Sequence, residues 1–300
     1  LVMFRAFYVS TTNTKILTAN SVVMVLTNVV LNYILIFGKF GFPVLGIAGA
    51  AIASSISEAV SVMFFVIYTW KKVDYKKYGL FRFTRVDFRM LGQILSVSIW
   101  VMIQHGIAFG GWFIFFIAME HLGERPLAIT NVVRSISSFL FMFVNAFAST
   151  NSSLVSNLIG AGESDRVLPL CRRMIGLCYA FVLPIGILIA MFPSTVLRIY
   201  TDNPDLIASS IPSLWVMLSS YLFAVPGFIY FFSVSGTGNT RRALEIDMAS
   251  IFVYVLYILY VAVWLRADVA VCWTTEYVYN IMILSSFFYL WKGNWRNKKI

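Results

Sequence analysis

The sequence has few charged residues. Asp, Glu, Lys and Arg make up 12% of its 300 residues, against about 25% in typical soluble proteins. Hydrophobic residues make up 60%, aromatic residues make up 17%, and the mean hydropathy is +0.83. A soluble domain of this composition would leave apolar surface in water, at about 25 cal/mol per Å². The composition therefore excludes an ordinary soluble fold and indicates an all-α polytopic membrane protein.

Cysteine and the common catalytic motifs are scarce or missing. The three cysteines, Cys171, Cys178 and Cys272, form no CxxC pair, so the sequence indicates no disulfide framework. It contains no HExxH, GxSxG or P-loop motif, and His105 and His121 lack metal-ligand spacing. We therefore predict no enzyme activity, no catalytic residue, no bound metal and no cofactor.

Long apolar runs are plentiful. Eight of them can cross a bilayer as complete helices of about 20–25 residues, and a ninth, incomplete helix ends near Phe7. The chain begins without Met and without a signal-peptide layout, so we expect it to be truncated at its N-terminus. The predicted spans are 18–37, 45–70, 90–120, 126–158, 168–192, 206–235, 243–265 and 269–291.

The basic residues predict the orientation. Of the 23 Lys and Arg residues, 18 lie toward one side of the predicted spans, 4 lie toward the other side, and Arg134 lies deep within a span. The positive-inside rule places the richer side, with the segment 71–89 and the C-terminus, in the cytoplasm. The net charge of +10 therefore suits an anionic lipid surface, and we predict no nucleic-acid partner.

A weak internal repeat suggests two related bundles. FYVSTTNTK (7–15) and SVSGTGNTR (233–241) each lie between two predicted helices, and the second copy follows the first by 226 residues. Parallel repeats of this kind are common in transporters, whose binding sites lie between the halves. We predict that residues 1–70 are the remainder of an N-terminal lobe, that 71–89 are a cytoplasmic linker, and that 90–300 are a C-terminal lobe with a cytoplasmic tail.

Three motifs resemble the multidrug and toxic compound extrusion (MATE) family: NVVLNYILIFGKFGFPVLGIAGAAIAS (28–54), VSNLIGAGE (155–163) and SGTGNT (235–240). The resemblance implies a twelve-helix transporter with two six-helix lobes, of which this chain would hold the end of helix 4 through helix 12. It implies export of organic cations, drugs or metabolites in exchange for sodium ions or protons, by a monomer in the inner cell membrane. The alternative is a flippase of lipid-linked oligosaccharides or other amphipathic lipids, from the same superfamily.

Four polar residues form the candidate coupling site. Asn28 and Asn32 lie four residues apart on one predicted span, and Ser54 and Glu58 do so on the next. They suit either a cation or proton site or a hydrogen-bonded seam between helices. By the resemblance, Asn28 matches an asparagine of an N-lobe cation site, Asn32 replaces its aspartate and Ser54 its threonine. Glu58 is the candidate replacement for the lost carboxylate.

In the predicted C-terminal lobe, the resemblance would place acids in 101–109 and 221–232, and neither stretch contains one. Gln104 and His105 lie near the middle of that span instead. His105 is either a packing residue or a proton relay. Trp100 and Trp112 are candidates for stacking on flat cationic substrates, although abundant aromatic residues also simply pack.

Two charged residues remain deep inside predicted C-lobe spans. Arg134 and Glu276 each lie about eight residues from the outer end of a span, so we expect them at similar depth. Because an unpaired charge in a membrane is costly, we predict that they form a structural ion pair rather than contact substrate. The predicted span boundaries leave Glu58 and Glu276 as the carboxylates well inside the spans.

Overall fold

A computed structural model describes residues 1–11, 13–73, 87–293 and 295. These residues form helices and short connections without a β-strand, which confirms the all-α prediction. The α-helices are α1 (Val2–Ser10), α2 (Lys15–Phe37), α3 (Gly46–Lys72), α4 (Phe88–Leu122), α5 (Glu124–Gly160), α6 (Val167–Met191), α7 (Pro193–Leu197), α8 (Pro204–Gly236), α9 (Thr240–Ile258), α10 (Val269–Trp273), α11 (Thr275–Leu284) and α12 (Ser286–Lys292).

Seven continuous helical segments in the described part of the chain are long and apolar enough to span a membrane. They correspond to the first seven predicted spans. The eighth, 269–291, consists of α10, α11 and α12, which are interrupted at Thr274 and Ser285. Both residues keep right-handed helical dihedral angles, so the helical path continues over 269–292, about 36 Å at 1.5 Å per residue.

The chain divides into two compact units, Leu1–Val86 and Asp87–Ile300. We call them the N-terminal unit and the C-terminal unit and describe each by itself. The predicted linker 71–89 and the predicted tail lie largely outside the described residues, so the proposed lobe boundaries stay a prediction.

In the N-terminal unit, α2 and α3 pack along a stripe of small residues. Gly49, Ala53, Ser57 and Ser61 are buried at intervals of four residues, which places them on one face of α3. A Cβ atom at Gly49 would lie 2.6 Å from the carbonyl oxygen of Leu35. Small residues therefore let the two helix backbones approach closely, as is common for membrane helices.

In the C-terminal unit, α5 and α8 form the central packing pair. Apolar residues recur on one face of α5, including the fully buried Val133, Leu140 and Val144. On α8, Gly227 packs closely against α11, because a Cβ atom at Gly227 would lie 3.1 Å from the carbonyl oxygen of Asn280. The space between α4, α5, α8, α9 and α11 is where the candidate site lies.

Candidate functional site

A cavity of about 630 Å³ opens within the C-terminal unit. Residues from α4, α5, α8, α9 and α11 line it. Much of its wall is aromatic, and the aromatic lining residues are Phe109, Trp112, Phe113, Phe116, Phe141, Tyr221, Phe228, Tyr254 and Tyr279.

Four rings of the aromatic wall contact one another in a row. The rings of Phe141 and Phe228 meet edge to face, with centroids 4.9 Å apart. Phe228 also contacts Tyr279 at 6.2 Å, and Tyr279 contacts Tyr254 at 5.9 Å. Such offset and edge contacts fix ring orientation beyond simple burial. The wall therefore presents ordered aromatic faces to the cavity.

The cavity contains charges of both signs. Arg134 and Glu276 both line it, which agrees with the similar depth expected from the sequence. The expected ion pair is nevertheless not formed. Instead, the guanidinium carbon of Arg134 lies 4.6 Å from the ring centroid of Phe116 on α4.

Glu276 is therefore a partly buried carboxylate without a cationic partner among the described residues. The ion pairs among the described residues join Glu163 to Arg166 and Glu245 to Arg241 and Arg242, all on the surface. In that part of the chain no hydrogen bond to the Glu276 side chain is present either. Removing a carboxylate from water without a partner is costly, so this position favours a ligand that brings a positive charge.

The four predicted substrate residues of α4 have different environments. Trp112 lines the cavity and stacks on Phe116, with centroids 6.4 Å apart. Trp100 lies twelve residues earlier, about 18 Å along the helix axis, and the Arg241 guanidinium sits 5.6 Å from its ring centroid. His105 is exposed, and Gln104 is 9% exposed. Trp100, His105 and Gln104 are not among the lining residues of this cavity, and their contact with substrate stays a prediction.

Asp247 on α9 is a functional candidate that the sequence patterns did not reveal. Its side chain is 2% exposed, and the Tyr279 hydroxyl donates to its Oδ1 at 3.0 Å. The Gln104 side chain is a second polar neighbour of this carboxylate. Asp247 is thus a further carboxylate within a span, besides Glu58 and Glu276, which the sequence predicts to lie well inside the spans. The spacing along the helix could have indicated that Asp247 is buried, because it shares a helix face with Ser250 and Tyr254, which are both buried.

In the N-terminal unit, three of the four predicted coupling residues come together. Asn32 Nδ2 donates to Asn28 Oδ1 at 2.8 Å, and Asn28 Nδ2 donates to Ser54 Oγ at 3.3 Å. The side chain of Glu58 is exposed and makes no hydrogen bond or ion pair with the described residues. The cluster is thus a hydrogen-bonded connection between α2 and α3, and ion binding there stays a prediction.

Two further polar contacts on the same unit were not predicted. Asn20 and Ser61 are fully buried and exchange two hydrogen bonds, of 2.7 Å from Asn20 Nδ2 and 3.0 Å from Ser61 Oγ. The hydroxyls of Tyr8 and Thr69 lie 2.7 Å apart. Polar pairs therefore recur along the packed faces of this unit.

Comparison with known proteins gives a consistent result. The family model described as MatE matches residues 107–263, just over half of the chain. A Thermotoga maritima protein named "Probable multidrug resistance protein NorM" is 28% identical over 239 residues, which cover 79% of this chain and 50% of that protein. The Bacillus subtilis "Uncharacterized transporter YisQ" is 24% identical over 197 residues, 62% of this chain and 41% of that protein. The chain spans about half the length of the curated relatives it matches.

Solved structures share the fold. A crystal structure of a mutant of the Vibrio cholerae MATE transporter VcmN aligns with a TM-score of 0.82 at 16% identity, covering 98% of this chain and 67% of that one. A transporter of the MOP superfamily from Pyrococcus furiosus aligns with a TM-score of 0.79 at 17% identity, covering 92% and 61%.

Proposed function

Because the chain belongs to the MATE family, we propose that it acts in a multidrug efflux transporter that exports amphipathic organic cations in exchange for sodium ions or protons. The observation that carries this proposal is the aromatic cavity with the unpaired Glu276 in its wall. The relatives named as multidrug resistance proteins support the same class of activity.

The chemistry of the cavity favours cations. Aromatic faces attract organic cations through the negative face of the ring, and Glu276 supplies a carboxylate without an internal counter-ion, whose negative charge a bound cation would stabilise. Arg134 is held over Phe116, which directs part of its charge toward a ring rather than toward Glu276. The volume of about 630 Å³ lies within the range of about 300–1,000 Å³ typical of small-molecule sites.

Export against a gradient needs a driving ion that binds differently in two states of the transporter. We propose that Asn28, Asn32 and Ser54 supply oxygen ligands for this ion, with Glu58 as the nearby carboxylate. The existing hydrogen bonds from Asn32 to Asn28 and from Asn28 to Ser54 hold these side chains together on two helices. Sodium ions and protons are both compatible with such a group.

The cavity supports drug export over the flippase alternative. A flippase of pyrophosphate-linked lipids would be expected to present a strongly cationic cavity. The described lining contains one arginine, Arg134, and one acid, Glu276, with aromatic rings around them. We therefore propose small amphipathic molecules as the transported class and the inner cell membrane as the location.

The decisive experiment measures export by the protein that carries this chain, expressed from its complete gene and reconstituted in proteoliposomes. Glu276→Gln should lower kcat/KM for a cationic dye at least tenfold and leave a neutral amphipathic dye within about twofold. Glu163→Gln, a surface carboxylate paired with Arg166, is the matched control. Equal losses for both dyes would contradict cation selection by Glu276, and flipping of a fluorescent lipid without dye export would favour the flippase.

The proposed orientation can be tested in the same protein. Cysteines introduced singly at Lys72 and Arg166 should react only with reagents that reach the cytoplasm. Cysteines at Lys39 and Asp202 should react from outside, because the positive-inside rule places these exposed residues on the opposite side. Reversed labelling at any of the four positions would contradict the proposed orientation.

A further inference from the structure

We propose that Asp247 is a proton-binding site in the C-terminal unit, linked to the substrate cavity through Tyr279. The proton site stands on the local geometry alone. Its link to substrate rests on the proposed function, since it assumes that organic cations occupy the cavity. The proton site and its link to substrate therefore need separate experiments.

Asp247 is buried without charge compensation. Asp247 is 2% exposed, and no ion pair to it is present in the described part of the chain. A buried carboxylate is normally paired with a cation or bound to a metal, because the isolated ionised form is costly. Asp247 has instead two neutral neighbours, the hydroxyl of Tyr279 and the amide of Gln104.

Gln104, beside Asp247, carries a buried acceptor that lacks a donor. Gln104 is 9% exposed, and its Oε1 is buried with no hydrogen-bond partner. A protonated Asp247 gains one O–H donor, which can be directed at this oxygen. The proton thereby removes the buried charge and satisfies the unpaired acceptor. Both changes remove the free-energy cost of a buried polar group that lacks a partner.

The ionisable groups around Asp247 decide whether a fixed cation or a proton neutralises its charge. Besides Tyr279, the ionisable groups on the elements packed against α9 include His105 on α4, Tyr221 on α8 and Glu276 on α11. At the start of α9 itself, Arg241 and Arg242 are exposed and pair with Glu245. Among the described residues, Tyr279 and Gln104 are the polar side chains that act on the Asp247 carboxylate. No fixed cation therefore holds Asp247 in its ionised form.

Tyr279 connects this site to the cavity. Its ring lines the cavity and contacts Phe228 and Tyr254, while its hydroxyl donates to Asp247. A ligand that moves this ring alters the hydrogen bond that stabilises the ionised carboxylate. By thermodynamic reciprocity, protonation of Asp247 must then alter ligand affinity by the same factor. Because a cationic ligand and a proton both bring positive charge, each should disfavour binding of the other.

Infrared difference spectroscopy on the purified whole protein tests the proton site. A pH series should show the C=O band of a protonated carboxylic acid, and Asp247→Asn should remove one such contribution. Tyr279→Phe keeps the ring and should shift the pH at which this contribution titrates. Glu245→Gln, two residues away and exposed, should change neither. Spectra of Asp247→Asn identical to wild type, with both proteins monodisperse by size exclusion, would overturn the proposal.

Two further arms separate the possible ligands. Adding sodium ions at fixed pH, with potassium as the control, should leave the Asp247 contribution unchanged, and a sodium-specific change would assign a metal ion to the site instead. If Asp247→Asn does not fold, Gln104→Leu provides the second variant. It retains Asp247 and removes both the nearby amide donor and the proposed acceptor of the proton, so it should displace the titration. An unchanged titration in Gln104→Leu would overturn the proposed hydrogen bond.

The link to substrate is tested with tetraphenylphosphonium and a pH-indicator dye in weakly buffered solution. Binding to wild type should release protons, and Asp247→Asn should lose most of that release while still binding the cation. Binding without proton release in wild type would overturn the link and leave the infrared result standing. Absence of binding by any member of a panel of organic cations would instead count against the proposed function.

Discussion

Gly236 of α8 lies directly against the backbone of Ser152 on α5. A Cβ atom at Gly236 would be 2.5 Å from the Ser152 carbonyl oxygen, and the nearby Ser156 Oγ donates to the carbonyl oxygen of Gly236 at 2.8 Å. One turn away, Asn151 Nδ2 donates to Ser233 Oγ at 2.7 Å. Small and polar residues thus set the separation of the two central helices of the C-terminal unit.

Enlarging Gly236 should force these helices apart. We expect Gly236→Ala to destabilise the protein by about 1–3 kcal/mol, the usual cost of overpacking, because the new methyl group meets rigid backbone. Gly160→Ala is the matched control, since a Cβ atom there meets nothing within 4 Å. Thermal unfolding of the two purified variants makes the comparison, and equal melting temperatures would contradict the close contact.

The buried Asn20–Ser61 pair should behave as a unit. Asn20→Val removes two hydrogen bonds and leaves the Ser61 hydroxyl without this partner, at an expected cost of about 1–2 kcal/mol. Adding Ser61→Ala should recover part of that loss, because both polar groups are then gone. Unfolding in a detergent titration measures this, and a double variant that is the sum of the two singles would exclude coupling.

Glu58 provides the sharpest test of the N-terminal coupling site. We expect Glu58→Gln in the whole protein to abolish ion-driven efflux while leaving substrate binding within about twofold, because the titratable carboxylate is lost and the cavity lies in the other unit. Dye efflux driven by imposed pH or sodium gradients measures the first effect, and equilibrium binding measures the second. Transport at the parent rate with unchanged pH and sodium dependence would place coupling elsewhere, with Asp247 as the next candidate.

Arg134 should oppose cationic substrates rather than neutralise Glu276. Since the guanidinium lies over Phe116 and not against Glu276, Arg134→Met removes a positive charge from the cavity wall without breaking an ion pair. We expect tighter binding of an organic cation by about 1 kcal/mol, or roughly fivefold in Kd. Titration calorimetry checks the sign, and weaker binding by Arg134→Met would restore the ion-pair interpretation.

The spans were predictable from sequence because bilayer thickness imposes a length on each apolar run. The apolar run of the last predicted span cannot show that Thr274 and Ser285 interrupt its helix, since both residue types are common in membrane helices. Trp112, Arg134 and Glu276 were identified as intramembrane candidates from residue type and depth. Whether Arg134 faces Glu276 or Phe116 is decided by helix rotation, which no local pattern contains.

Asp247 was missed for a related physical reason. It follows the exposed cluster Arg241, Arg242 and Glu245, so its surroundings in sequence indicate a solvated loop end. Its burial depends on Tyr279, 32 residues later, and on Gln104 of α4. The Asn20–Ser61 pair was hidden in the same way by a separation of 41 residues. Side chains whose role depends on distant partners are the ones that sequence patterns miss.

Between the interruptions at Thr274 and Ser285, α11 has ten residues, and it packs against both α8 and α9. It carries three cavity residues, Glu276, Tyr279 and Asn280. Substitutions on α8 or α9 that never contact a substrate can therefore change which compounds the cavity binds.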